Sequence, residues 1–142
     1  MTRFGAVLVS IDGSEDAKKA TEAAIAIAKR FGSELFILHV IPRISYHSEK
    51  LQREFVKITK RHAEEWIENA LAQAKGEGLK VRGEIVSNVP SIVEAIVDYA
   101  SEWKVDLIVV GTRGLSGLKR AFLGSISSGL VTQAPCNVLI VK

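Results

Sequence analysis

The chain has 142 residues, of which 47% are hydrophobic and 25% are charged, and its formal net charge is +3. This composition predicts one globular domain, spanning residues 1–142, and the small, scattered charge argues against nucleic acid as a partner. The single cysteine, Cys136, excludes an internal disulfide. The apolar stretch near the N-terminus is too short for a signal peptide or a membrane span, so we expect a cytoplasmic protein without membrane association.

The first half of the chain alternates short apolar runs with longer helical patterns. Residues 6–11 (AVLVSI) predict a buried strand, and residues 15–31 predict a helix with acidic residues in its first turn and basic residues in its last. Residues 34–41 predict a second strand. A long helix is expected over residues 49–75. Its predicted apolar stripe consists of Leu51, Phe55, Ile58, His62, Trp66 and Ala70.

The second half continues the alternation. Residues 80–87 alternate in polarity and are less apolar, which predicts an edge strand. Pro90 is typical of the first turn of a helix, so a third helix is expected to begin there. A fourth strand is predicted at residues 107–110, a fourth helix at 125–133 and a last strand at 138–141.

This order predicts an α/β fold. Five strands alternating with four helices favour a single-domain, doubly wound parallel sheet with strand order 3-2-1-4-5 and helices on both faces. Ligands of such sheets bind beyond the carboxyl ends of the strands, where the strand order reverses. Asp12, Val40 and Gly111 lie at predicted strand ends of this kind, so they are the first candidates for a shared site.

A glycine-rich stretch follows the fourth strand. Its glycines and basic residues are Gly111, Arg113, Gly114, Gly117, Lys119, Arg120 and Gly124. Glycines allow backbone N–H groups to approach an anion closely, and the helix that is predicted to follow adds free N–H groups and the positive end of its dipole. The pattern therefore predicts a phosphate-binding loop, with Lys119 and Arg120 interpreted as solvated loop charges.

The glycine spacing excludes two common nucleotide-binding motifs. No Gly-Lys-Ser/Thr follows the glycines, as in a Walker loop, and G-x-G-x-x-G does not follow the first strand. The spacing present is Gly111-x-x-Gly114, nine residues, then Gly124-Ser125. In this spacing the chain resembles the ATP-binding branch of the universal stress protein family. Asp12 and the closing segment PCNVLIVK extend the resemblance over the whole chain.

The resemblance implies a role for each matching residue. Asp12 would contact the ribose or the adenine side of the site, and Val40 would meet adenine through its backbone. Glycines and a helix N-terminus suit the phosphates. The full set of nucleotide-binding residues implied in this way is Ser10, Ile11, Asp12, Val40, Val110, Gly111, Arg113, Gly114, Gly124, Ser125 and Ile126. Relatives often have glycine after the third strand, where this chain has Asn88, a residue that tolerates unusual backbone angles.

The expected function is ATP binding by a regulatory protein of the stress response, with Mg²⁺ arriving on the triphosphate. Neither a general base nor an acceptor site can be assigned, so no residue is predicted to be catalytic and hydrolysis, if any, should be slow. The three histidines do not have the spacing of metal ligands, and no protein-bound metal is expected.

Two alternatives remain open. One is a nucleotide-free module for dimerisation and partner binding on the same fold. The other is a sensor of AMP or cyclic AMP, which would use the same Asp12 and Val40 contacts. In either case the apolar last strand, Val138–Val141, would lie at a sheet edge, and the resemblance implies a homodimer formed through it.

Overall fold

The computed structural model describes residues 3–44, 48–112 and 124–142. Strands and helices alternate throughout these ranges, and the strands form a five-stranded sheet in the order β3-β2-β1-β4-β5, with each neighbouring pair parallel. The predicted fold class and strand order are therefore confirmed. The elements are β1 (Ala6–Ser10), α1 (Glu15–Phe31), β2 (Glu34–Pro42), α2 (Glu49–Gly76), β3 (Val81–Val89), α3 (Ile92–Glu102), β4 (Leu107–Gly111), α4 (Ser125–Gln133) and β5 (Asn137–Val141).

The helices cover both faces of the sheet. In the central strands, successive side chains point to opposite faces, so Val7 and Val9 pack under α1 and α2 while Leu8 packs under α3 and α4. Each of these three side chains is fully buried. Burial on both faces explains why the central strands read as continuous apolar runs in the sequence. Among the described residues, no helix has the length and apolar character needed to cross a membrane.

The start of α1 is capped by Ser14, whose Oγ accepts a hydrogen bond from the backbone N–H of Ala17 at 3.1 Å. Asp12 does not cap the helix. Its Oδ1 accepts instead from the N–H of Ser14 at 3.0 Å, one step before the helix. Asp12 therefore belongs to the turn that joins β1 to α1, at the carboxyl edge of the sheet.

The predicted apolar stripe of α2 is largely wrong, because only Ala70 of its six residues is buried. Leu51 and Ile58 are 55% and 58% exposed, whereas the buried residues of α2 are Ala63, Ile67, Ala70 and Ala74. A 28-residue helix is ~42 Å long. The nine-residue strand β2 spans only ~30 Å, so the sheet offers the first half of α2 little surface to pack against.

The loop between β3 and α3 also differs from the prediction. Helix α3 begins at Ile92, and Ser91 caps it by accepting from the N–H of Glu94 at 3.1 Å. Pro90 therefore lies before the N-cap and not in the first turn. The hydroxyl of Ser91 can accept a hydrogen bond from an N–H at the helix start, whereas proline has no side-chain acceptor. Asn88, which was expected after the third strand, lies within β3 at a shift of its register with β2, and its φ of 60° is the left-handed conformation that its side chain tolerates.

Candidate functional site

The carboxyl ends of β1, β2 and β4 lie side by side at one edge of the sheet. Ser10 ends β1 opposite Leu38 of β2, and on the other side Val9 of β1 is in register with Val109 of β4. The chain leaves β1 toward β2 on one side and returns to β4 on the other, so the strand order reverses here. This is the position at which open parallel sheets bind ligands.

The turn that carries Asp12 packs against helix α2. Gly13 has a φ of 84°, and a Cβ added to it would lie 2.4 Å from ring carbons of Trp66. The backbone at Gly13 thus rests directly on the indole, in a conformation that favours glycine. Trp66 thereby fixes the position of the turn that carries Asp12 relative to helix α2. Sequence reasoning assigned this tryptophan to the core and missed its contact with the turn.

His39 contacts both the same turn and Trp66. Its side chain is 8% exposed, its Nδ1 lies 2.6 Å from the carbonyl oxygen of Ile11, and its ring meets that of Trp66 edge-on at 5.3 Å between centroids. Burial lowers the pKa of His39, although the Ile11 carbonyl and the charge of Asp12 oppose the shift. A neutral imidazole therefore donates from Nδ1 to Ile11, immediately before Asp12 in the chain.

At the carboxyl edge of the sheet, Val40 can contact a ligand through its backbone but not through its side chain. The side chain is 4% exposed and packs on the α3 and α4 side. The Leu38 carbonyl accepts a hydrogen bond from the N–H of Ile11 at 2.9 Å, so the backbone groups of Leu38 face β1. Because these directions alternate along a strand, the N–H and C=O of Val40 face the same side, beyond the last residue of β1.

Helix α4 begins at the same edge. Its N-cap residue is Gly124, which is buried and has no side chain that could occupy the end N–H groups. The first intrahelical bond runs from the N–H of Ser128 to the Gly124 carbonyl at 3.0 Å. The N–H groups of Ser125, Ile126 and Ser127 precede it in the first turn, where a helix has donors without intrahelical acceptors. Such a helix start is suited to bind an anion.

The end of β4 is joined to α1, α4 and β5 by a set of contacts that sequence reasoning missed. Thr112 Oγ1 donates to Asp16 Oδ2 at 2.9 Å, and Ser127 Oγ donates to the Gly111 carbonyl at 2.8 Å. The Thr112 carbonyl accepts from the N–H of Gly124 at 3.0 Å. The carboxylate of Asp16 reads in the sequence as a helix-dipole charge, so no signal pointed to this pairing.

The predicted site residues fall into four groups. Asp12 and the start of α4, with Gly124 and an exposed Ser125, lie at the carboxyl edge together with Gly111 and Ser10. Ile11, Val40 and Val110 have buried side chains, so only their backbones can face a ligand. Ile126 is half-buried and packs toward the α3 and α4 side. Arg113 and Gly114 lie outside the described residues.

Known proteins of similar sequence and structure share this architecture. The family model of the universal stress protein family matches residues 3–142. The universal stress protein YxiE of Bacillus subtilis is 36% identical, with 98% of this chain and 99% of the relative covered. The structure of universal stress protein UspA from Lactobacillus plantarum is similar with a TM-score of 0.88, 28% identity and all of both chains covered.

A third similar protein was solved with a nucleotide. This universal stress protein, in complex with cAMP, has a TM-score of 0.75 and 29% identity, with 99% of this chain and 98% of that chain covered. The glycine spacing, the strand order and the match over nearly the whole length agree with one another. The chain is a member of the universal stress protein family.

Proposed function

We propose that this protein binds an adenine nucleotide, with ATP as its ligand, and acts as a regulatory protein of the stress response. The observation that carries the proposal is the meeting of three different binding groups at one sheet edge. These are the carboxylate of Asp12, the backbone of Val40 and the start of α4 at Gly124. The carboxylate suits the ribose hydroxyls of a nucleotide, the Val40 backbone suits the base, and the start of α4 suits the phosphates.

Each group has the chemistry that its partner requires. The Asp12 carboxylate uses Oδ1 for the Ser14 N–H and has further acceptor capacity for ribose hydroxyls. The N–H and C=O of Val40 are a donor and an acceptor for the edge of adenine. The N–H groups at the start of α4 suit phosphate oxygens. The universal stress protein solved with cAMP supports an adenine nucleotide as the ligand class.

That relative also favours a second candidate, a sensor of AMP or cyclic AMP. Such a ligand would use the same contacts at Asp12 and Val40 and fewer donors at α4. ATP and cyclic AMP should then compete for one site, so displacement of bound ATP by increasing cyclic AMP measures which nucleotide binds more tightly. The ATP proposal predicts that ATP, which carries more phosphates, binds more tightly than cyclic AMP.

Mg²⁺ would arrive with the triphosphate rather than wait on the protein. In the described part of the chain, no three His, Cys, Asp or Glu side chains are grouped to hold a metal, and residues 113–123 contain none of these types. When bound, the ion would neutralise phosphate charge. We assign no residue as a nucleophile or base, so ATP turnover should lie well below ~1 s⁻¹, the lower end of ordinary enzyme rates.

Isothermal titration calorimetry of ATP against the wild type and Asp12→Ala tests the proposal. Loss of a hydrogen-bonding carboxylate should weaken ATP binding by roughly 10- to 150-fold, the equivalent of about 1.5–3 kcal/mol. Asp98→Ala is the matched control, because Asp98 is an exposed carboxylate on α3. Wild-type protein that gives no heat with ATP, AMP or cyclic AMP would leave the nucleotide-free dimerisation module as the better reading.

The protein is also proposed to form a homodimer through β5. The strand lies at one edge of the sheet, and its residues 138–141 are all apolar. An unpaired apolar edge is suited to pair with the same edge of a second copy. In this proposal, nucleotide binding at the carboxyl edge would alter a surface to which a partner protein binds.

A further inference from the structure

The nucleoside side and the phosphate side of the proposed site belong to different elements. Asp12 precedes α1, whereas the N–H donors for phosphate belong to α4, more than a hundred residues later. A nucleotide that contacts both needs them at a fixed separation. Beyond the pairing of β1 with β4 in the sheet, contacts of Asp16 and Thr112 connect the two sides.

Asp16 is a buried carboxylate, only 6% exposed, one helical turn after Asp12. Its main chain is in close contact with the end of β4, because a Cβ on Gly111 would lie 2.7 Å from Asp16 Cβ and 3.0 Å from its carbonyl carbon. Its Oδ2 accepts the hydrogen bond from Thr112 Oγ1 at 2.9 Å. Asp16 therefore holds both residues at the end of β4 against the helix that follows Asp12.

Thr112 carries the connection onward to α4. Its carbonyl accepts from the N–H of Gly124, the N-cap of α4, at 3.0 Å, while its own N–H donates to Val141 of β5 at 3.1 Å. Ser127, in the first turn of α4, adds a second link by donating to the Gly111 carbonyl at 2.8 Å. The start of α4 is thus joined to α1 through Gly111, the last residue of β4, and Thr112, which follows it.

We propose that Asp16 and Thr112 are positioning residues, which set the distance between the nucleoside and the phosphate sides of the site and so its preference for ligands that carry phosphates. This inference rests on the proposed nucleotide function. Neither side chain is required to touch the ligand. Their hydrogen bond orients the N–H groups of α4, so its loss should affect phosphate binding and leave nucleoside binding almost unchanged.

The test compares ATP with adenosine, which lacks the phosphates, in Thr112→Val and Thr112→Ser. Valine has the shape of threonine without the hydroxyl, and serine keeps the hydroxyl. In Thr112→Val we expect ATP affinity to fall roughly 5- to 30-fold and adenosine affinity to change by less than about twofold. Thr112→Ser should restore the wild-type ratio of the two affinities. Calorimetry well below the melting temperature of each variant gives both constants.

Ser127→Ala provides a second variant if Thr112→Val does not fold. It removes only the link to the Gly111 carbonyl, so the ratio should shift in the same direction by a smaller factor. Equal losses of ATP and adenosine affinity would indicate a merely structural role and overturn the inference, as would wild-type ATP affinity in Thr112→Val. In both outcomes the proposed function stands. A wild type that binds neither ligand would instead reject the proposed function, and the positioning role with it.

Discussion

Gly13 connects the chemistry of the site to the packing of the helix behind it. Its φ of 84° is unfavourable for residues with a Cβ, and an added Cβ would overlap the Trp66 indole at 2.4 Å. We expect Gly13→Ala to lower the free energy of unfolding by roughly 2–5 kcal/mol, the sum of left-handed strain and overpacking. Urea denaturation followed by circular dichroism measures this change.

Gly78 supplies the matched control for the Gly13 variant. Its φ is 77°, but nothing lies within 4 Å of a Cβ added there. Gly78→Ala should therefore cost only the strain, about 1–2 kcal/mol. In a Trp66→Leu background, the cost of Gly13→Ala should fall toward that value. If Gly13→Ala costs no more than Gly78→Ala in the wild-type background, the indole does not hold the Asp12 turn.

His39 makes the stability of the protein depend on pH. Burial lowers its pKa in the folded state, whereas in the unfolded chain the pKa is ~6.5. As the pH falls through ~6.5, the unfolded chain binds a proton that the folded chain resists, so the free energy of unfolding decreases. The contribution of neutral His39 is fully present above this pH and is lost as the pH falls toward the lower folded-state pKa.

The His39 effect is measured by urea denaturation at about pH 7.5 and about pH 5.5, on either side of the unfolded-state pKa. In His39→Asn, whose amide N–H lies near the position of the Nδ1–H that donates to the Ile11 carbonyl, the loss of stability between the two pH values should be smaller than in the wild type. His62→Asn, the same substitution at an exposed histidine of α2, is the control. Identical pH dependence in the wild type and His39→Asn would contradict the assignment.

At the scale of the elements, the alternation of apolar runs and helical patterns was enough to predict the parallel sheet, whereas the strand order was taken from known doubly wound folds. Each central strand is buried on both faces, which leaves a strong apolar signal over few residues. The predicted helix ends agree with the structure to within one residue, except for the start of α3, which was expected at Pro90 and lies at Ile92. The hydroxyl of Ser91 decides the outcome by capping the helix.

The stripe of α2 shows what periodicity cannot supply. Leu51 and Ile58 are exposed and Ala70 is buried, although all three were assigned to one stripe; at about 3.6 residues per turn, Ala70 lies about 100° around the helix from Leu51. The period of a helix indicates which side chains lie on one face, but the length of the neighbouring strand decides how far along the helix that face is covered. A strand of nine residues beside a helix of 28 leaves part of the stripe exposed.

The candidate site was predictable only as far as its residues follow strand ends. Asp12, Val40 and Gly111 were placed by topology, because parallel strands bring their carboxyl ends to one edge. The bond between Asp16 and Thr112 joins residues 96 positions apart and depends on the crossing of α1 over β4. Trp66 and Gly13 are likewise far apart in sequence. These supporting contacts come from tertiary packing, which a single sequence does not encode as a local pattern.

For the whole molecule, the two edges of the sheet have opposite character. The β3 edge carries exposed charged residues, Arg82 and Glu84, and an irregular register beside Pro42, features that disfavour pairing with another strand. The β5 edge has only apolar residues from Val138 to Val141. The proposed homodimer therefore forms through β5, by hydrogen bonds from the backbone groups that do not face β4.

A proline at Val138 tests the dimer more cleanly than a charge at Leu139 or Ile140. Those two side chains, like that of Val138, pack against the core clusters, so a charge would weaken the fold as well as the edge, whereas proline keeps position 138 apolar. The Val141 carbonyl accepts from the N–H of Thr112, which follows β4, so the backbone groups of Val141 face β4. Because these directions alternate along a strand, the N–H of Val138 points to the open edge, where a proline leaves the hydrogen bonds to β4 intact. Light scattering should find a dimer for the wild type and for Val138→Ala, which keeps this N–H, and a folded monomer for Val138→Pro. A monomeric wild type, or a Val138→Pro variant that is as dimeric as Val138→Ala, would refute assembly through this edge.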